Sequence, residues 1–174
     1  MCSGIALALS ELPAGFVEQH GLQGRVHERG GEPEVRFLFR AAERLLPVWL
    51  CGQLRLARWG CRRGDKTALP LTGWAWQETV DNGWWGLVGA EPVDVPATMA
   101  VENGIWYAVR QGLRGLLVRD EAGRDVVYLV CEPASPYYRV MVRHEAWSRN
   151  GGTDARKAAS TPAALTGGRR AVGA

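Results

Sequence analysis

At 174 residues, 47% of them hydrophobic and 22% charged, the chain has the material of one ordinary globular domain with its own core. The formal net charge of +3 is unevenly placed: beyond residue 148, Arg149, Arg156, Lys157, Arg169 and Arg170 face only Asp154, so residues 1–148 carry a net −1. A body so close to neutral excludes coating of duplex DNA by charge alone, although a local groove of arginines is compatible with it.

The N-terminus, Met1-Cys2-Ser3-Gly4-Ile5, opens an apolar stretch with no basic residues ahead of it, and Glu11 and Pro13 soon break it. That pattern is not a secretory signal, and no run reaches the roughly 18–20 apolar residues of a membrane span. A cytoplasmic protein without a membrane partner is expected.

Alternating or β-branched runs predict strands over 34–40, 46–50, 53–58, 104–109, 112–118 and 125–131. Turn signals separate them, and Glu121-Ala122-Gly123-Arg124 is a hairpin candidate between the last two. A further strand through Trp74 and Trp76 would place both rings on one face, which suits core packing and base stacking equally. Trp84 and Trp85 read as core. One helix is expected, with Ser135 as its cap, Pro136 in its first position and Tyr137, Val140, Met141 and His144 along one stripe. Residues 149–174 lose all periodicity and read as a disordered basic tail after a domain at 1–148.

The four cysteines, Cys2, Cys51, Cys61 and Cys131, form no CxxC pair, and His20, His27 and His144 fall at no ligand spacing. No metal and no cofactor are expected, and disulfides are disfavoured in a reducing compartment. Cys51, Cys61 and Cys131 lie in strand-like apolar settings and are read as inert core thiols.

Taken in order, several segments resemble the SRAP family (SOS response-associated peptidases) along nearly the whole body. The chain begins Met1-Cys2, and Trp59-Gly60 follows a strand. Trp74-Ala75-Trp76-Gln77-Glu78-Thr79 is similar in its second half to the family's Asn-Ala-Arg-x-Glu-Thr. Val95-Pro96-Ala97 precedes Glu102 as in the family's Val-Pro-Ala-x-Gly-Phe-Tyr-Glu, and Arg143-His144 opens as the family's His-Asp-Arg-Met-Pro does. The resemblance implies an α+β fold, mostly antiparallel β, with a barrel-type sheet and few helices, in a monomer.

The resemblance also implies a function: an abasic-site sensor that cross-links covalently to single-stranded DNA through Cys2, with the autopeptidase activity of the family's name. Met1 precedes a small residue and is expected to be removed. Cys2 then carries an amine of pKa ~7.7–8.0 beside a thiol of pKa ~8.5, both partly nucleophilic at neutral pH. Such an aminothiol condenses with the aldehyde of a ring-opened abasic sugar to a thiazolidine. Glu102 would move protons during imine formation, and His144 would act on the sugar ring oxygen or on reversal. Bland readings stand beside these: a solvated loop carboxylate for Glu102 and a helix-end histidine for His144. Nucleic-acid contacts would come from Trp59, Trp74, Trp76, Glu78 and Arg143.

The chain departs from the family at Ser3-Gly4, where Gly-Arg is usual, at Trp74 and Trp76 in place of Asn and Arg, and at Glu145-Ala146-Trp147-Ser148. Phosphate contacts at those positions are absent. Two other readings are carried: a non-catalytic nucleic-acid-binding domain, and a hydrolase using Cys2 and His144 as a dyad.

Overall fold

The computed structural model describes residues 2–133 and 146–148. Two sheets share one core. The first has five strands: β1 (Gly4–Ala8), β2 (Val26–Arg29), β3 (Glu32–Leu38), β8 (Met99–Glu102) and β9 (Ile105–Ala108), in the order β2-β3-β1-β8-β9. The second contains β4 (Leu45–Leu50), β5 (Gln53–Trp59), β6 (Trp74–Trp76), β7 (Glu91–Val95), β10 (Leu113–Arg119), β11 (Asp125–Pro133) and β12 (Ala146–Ser148). Its path β10-β7-β4-β5-β11 is closed by pairing of β10 with β11, which makes a five-stranded barrel. All pairings are antiparallel except those of β11 with β5 and β6. Helices are short: α1 (Phe16–Gln19), α2 (Gln77–Asp81) and α3 (Trp84–Leu87). The fold is therefore α+β and dominated by antiparallel strands, as expected.

β11 explains how the sheets are joined. It reads Val126-Val127-Tyr128-Leu129-Val130-Cys131, and all six residues are buried. An unbroken apolar run means that both faces of the strand are covered. Val127 and Leu129 point into the main core with Ile5, Phe37 and Trp59. Val126, Tyr128 and Val130 face outward and are covered by Cys61, Leu69 and Trp85. Where β5 leaves the edge of β11, β6 takes its place: Gly60 N–H donates to Val127 O, and Leu129 N–H to Gly73 O.

Three hairpins, that at Gly30-Gly31 between β2 and β3 among them, have two-residue loops with both central φ angles positive, the pattern of a type I′ turn. Cys51 and Gly52 join β4 to β5 at φ 51° and 74°, and Asn103 and Gly104 join β8 to β9 at φ 49° and 80°. The first corrects the reading of Cys51 as a core thiol, because the turn carries it out to solvent. Cys61 and Cys131 are buried as expected. The hairpin at 121–124 is present, its turn held by the Asp120 carboxylate, which accepts from the N–H groups of Ala122 and Arg124. Of the paired tryptophans, Trp85 is buried, but Trp84 is 42% exposed and departs from its core reading. The helix expected at 135–144 and the tail at 149–174 lie outside the described residues.

Candidate active site around Cys2

The backbone of β1 decides where Cys2 points. Gly4 is paired with Val101 and Ile5 with Ala100. Ser3 N–H also donates to Val101 O, at 2.8 Å. The β1–β8 pairing ends there, and beyond it Cys2 leaves the regular alternation: it is buried in the main core with Ile5, where strict alternation would have sent it to the outer face with Gly4. Glu102, two residues from Ala100 along β8, lies on the same inward side. Both Cys2 and Glu102 are fully buried. The outer face at this point has no room for a side chain: a Cβ on Gly4 would lie 2.5 Å from Leu38 Cδ2 and 2.9 Å from Val101 Cγ1.

Aromatic rings build the wall next to Cys2. The Trp74 indole N–H donates to Cys2 O at 3.0 Å, and Phe39 N–H donates to Ser3 O at 3.0 Å. Phe39 packs on Trp74 with ring centroids 4.7 Å apart and on Trp59 at 5.3 Å. Gly73 permits this approach, since a Cβ there would meet Phe39 at 2.6 Å and Trp59 Nε1 at 2.8 Å. The Cys2 thiol donates to Gly4 O at 2.9 Å.

Beyond the rings lies a group of cations. The Arg62 guanidinium sits 4.8 Å over the Phe39 ring and donates to Ala41 O. Arg44 pairs with Asp65, and Arg58 lies within 3.9 Å of the same carboxylate. Burial works against the charged form of Asp65, but the N–H of Arg62 and the charges of Arg44 and Arg58 outweigh it and hold its carboxyl below the usual range. Burial, and then the nearby Arg44 charge, lower the pKa of Arg62 against the pull of Asp65.

The site residues read from the sequence separate clearly. Cys2 and Trp74 come together, and Glu102 is fully buried in β8. Glu102 is no solvated loop carboxylate, because the Asn103-Gly104 turn begins just after it and leaves it in β8. Trp59 is corrected from a stacking surface to a packing residue: it is fully buried, with its indole N–H donating to Gly73 O at 2.9 Å, and its ring forms part of the wall. Trp76 is 43% exposed at the end of β6, and Glu78 lies exposed in the first turn of α2. Arg143 and His144 lie outside the described residues. Phe39 and Arg62 join the site without any signal in the sequence pattern; for Glu102, the Asn103-Gly104 dipeptide is the signal that places it in a strand. A polar cleft of about 420 Å³ lined by Glu11, Trp49, Asp94 and Arg110 shares no residue with this site.

Among the described residues there is no group of three or more His, Cys, Asp or Glu side chains placed to hold a metal ion, and no helix long and apolar enough to cross a membrane. Comparison of the chain with protein-family profiles, with curated sequences and with solved structures finds no match.

Proposed function

We propose that the protein captures the aldehyde of an abasic site in single-stranded DNA through the aminothiol of Cys2, in the manner of the SRAP family it resembles. The observation that carries this reading is the burial of Cys2 on the inward side of β1 and β8, the side to which the alternation of β8 also assigns Glu102. A buried thiol with a carboxyl on the same side suits a nucleophile with a proton-transfer partner.

Removal of Met1 converts the Cys2 amide nitrogen into an amine. That amine adds to the aldehyde carbon, and the carbinolamine loses one water to give an imine. The sulfur then adds to the imine carbon and its proton passes to nitrogen, so the ring closes with net loss of one water. In this reading Glu102 delivers a proton to the departing hydroxyl and takes one back. Trp74 fixes the Cys2 carbonyl, which leaves the amine and thiol as the moving parts of the residue.

A denaturing gel tests the reading. Protein that has lost Met1 gives a denaturation-resistant adduct with a single strand carrying one abasic site, and Cys2→Ala gives none. Wild-type protein with its N-terminal cysteine exposed and no adduct would sink the proposal.

A further inference from the structure

Positive charge is concentrated at one place on the body. Segments 40–44 and 58–66 hold six basic residues and two acidic ones, within a body that sums to −1. The two segments form one surface. Arg62 Nη1 donates to Ala41 O at 3.3 Å, Trp59 N–H donates to Arg44 O at 2.8 Å, and Arg44 pairs with Asp65.

The fold neutralises one end of this group: Asp65 is shared by Arg44 and Arg58, and Asp120 lies 3.5 Å from Arg58, while Glu43 lies 3.8 Å from Arg25, outside the group. Arg62 Nη2 and Arg58 Nε are buried without a hydrogen-bond partner, a cost that proteins seldom leave standing. Arg40, Arg63 and Lys66 extend the group toward solvent. The cluster also abuts the Cys2 site through a continuous chain of neighbours: Arg62 over Phe39, Phe39 against Trp74, and Trp74 to Cys2 O.

We propose that this basic ridge is the track along which the backbone phosphates of a single strand approach Cys2, with Arg63 and Lys66 gripping phosphates and Arg62 holding the ridge against Phe39. Neighbouring guanidinium groups repel each other, and a phosphodiester supplies negative charge with matching geometry. Trp76, exposed two residues from Trp74, adds a flat surface for a base, which favours a nucleic acid over an acidic peptide. The direction of the track rests on the reading of Cys2 as the aldehyde-capturing group; the concentration of charge stands apart from it.

The test uses the full chain and a fluorescein-labelled oligothymidine without abasic sites, with binding followed by anisotropy across a potassium chloride series. Each phosphate no longer gripped lowers the log–log salt slope by about 0.7, so the Arg63→Ala/Lys66→Ala double variant has a slope smaller by about 1.4. Arg110→Ala, exposed on the loop after β9, leaves the slope unchanged. The ridge is refuted by absent binding, by a double variant with the wild-type slope, by an equal decrease in Arg110→Ala, or by equal displacement of the strand with polyglutamate. Adduct formation on an abasic strand is scored separately. Binding with the expected slopes but no adduct overturns the Cys2 chemistry and supports the ridge. Adduct formation equal in wild type and double variant supports the chemistry and overturns the ridge.

Discussion

The indole N–H of Trp74 reaches the carbonyl oxygen of Cys2 across 3.0 Å, joining two residues 72 positions apart in sequence. It ties the residue ahead of β1, in one sheet, to β6, in the other. Trp74→Phe keeps an aromatic ring against Phe39 and removes this bond. A hydrogen bond of this kind contributes about 1 kcal/mol, so adduct formation is expected to slow about fivefold if the bond is fully felt in the reacting geometry. Single-turnover kinetics on an abasic strand measure this, and an unchanged rate would remove Trp74 from the account.

Glu102→Gln preserves the shape of a fully buried side chain and removes its ability to exchange a proton. The expected result is a rate of cross-linking lower by about 10²-fold, with the thermal midpoint nearly kept. A rate within a factor of about two of wild type would mean that proton transfer comes from elsewhere.

Gly4 lies opposite Leu38 and Val101 with no space for a Cβ. Gly4→Val is therefore expected to destabilise the fold by about 1–3 kcal/mol, the usual cost of overpacking, and to displace the backbone that orients Cys2. Urea unfolding reads the first effect and adduct yield in the folded fraction reads the second.

Acid sensitivity follows from Asp65 and Asp120. Burial works against the charged form of Asp120, but the N–H groups and guanidinium of Arg124 and the N–H of Ala122 outweigh it, so its carboxyl is held low, as is that of Asp65. A carboxyl whose folded pKa is depressed stabilises the fold above its unfolded value of about 3.9, and that contribution is lost as pH falls through the folded value. Stability is expected to be flat above about pH 5 and to drop below about pH 4, with a shallower drop in Asp120→Asn. Chemical denaturation across this range checks the sign.

Much of the strand content is legible in the sequence because β3, β4, β5, β10 and β11 carry strong alternating or apolar runs. The edges and connections are less so. β8 is four residues long, Met99–Glu102, and its pairing depends on β1, nearly a hundred positions away. The end of regular pairing at Gly4 leaves no mark on hydrophobic periodicity, so Cys2 stands out by its position and chemistry but not by the face it occupies. Trp59 shows the converse. A tryptophan at a strand end suits a stacking surface and a core position equally, and only the closing of the barrel buries it. Cys51 looks apolar within its local run, yet a two-residue turn with positive φ at Cys51 swings the side chain away from the sheet.

The most direct measurement is the intact mass of the species formed with a short single strand bearing one abasic site. The account predicts the protein without Met1 plus the strand minus one water, resistant to borohydride because the imine has closed to a thiazolidine, and absent with Cys2→Ser. A borohydride-trapped imine that survives in Cys2→Ser, or no covalent mass at all from protein that has lost Met1, would contradict it.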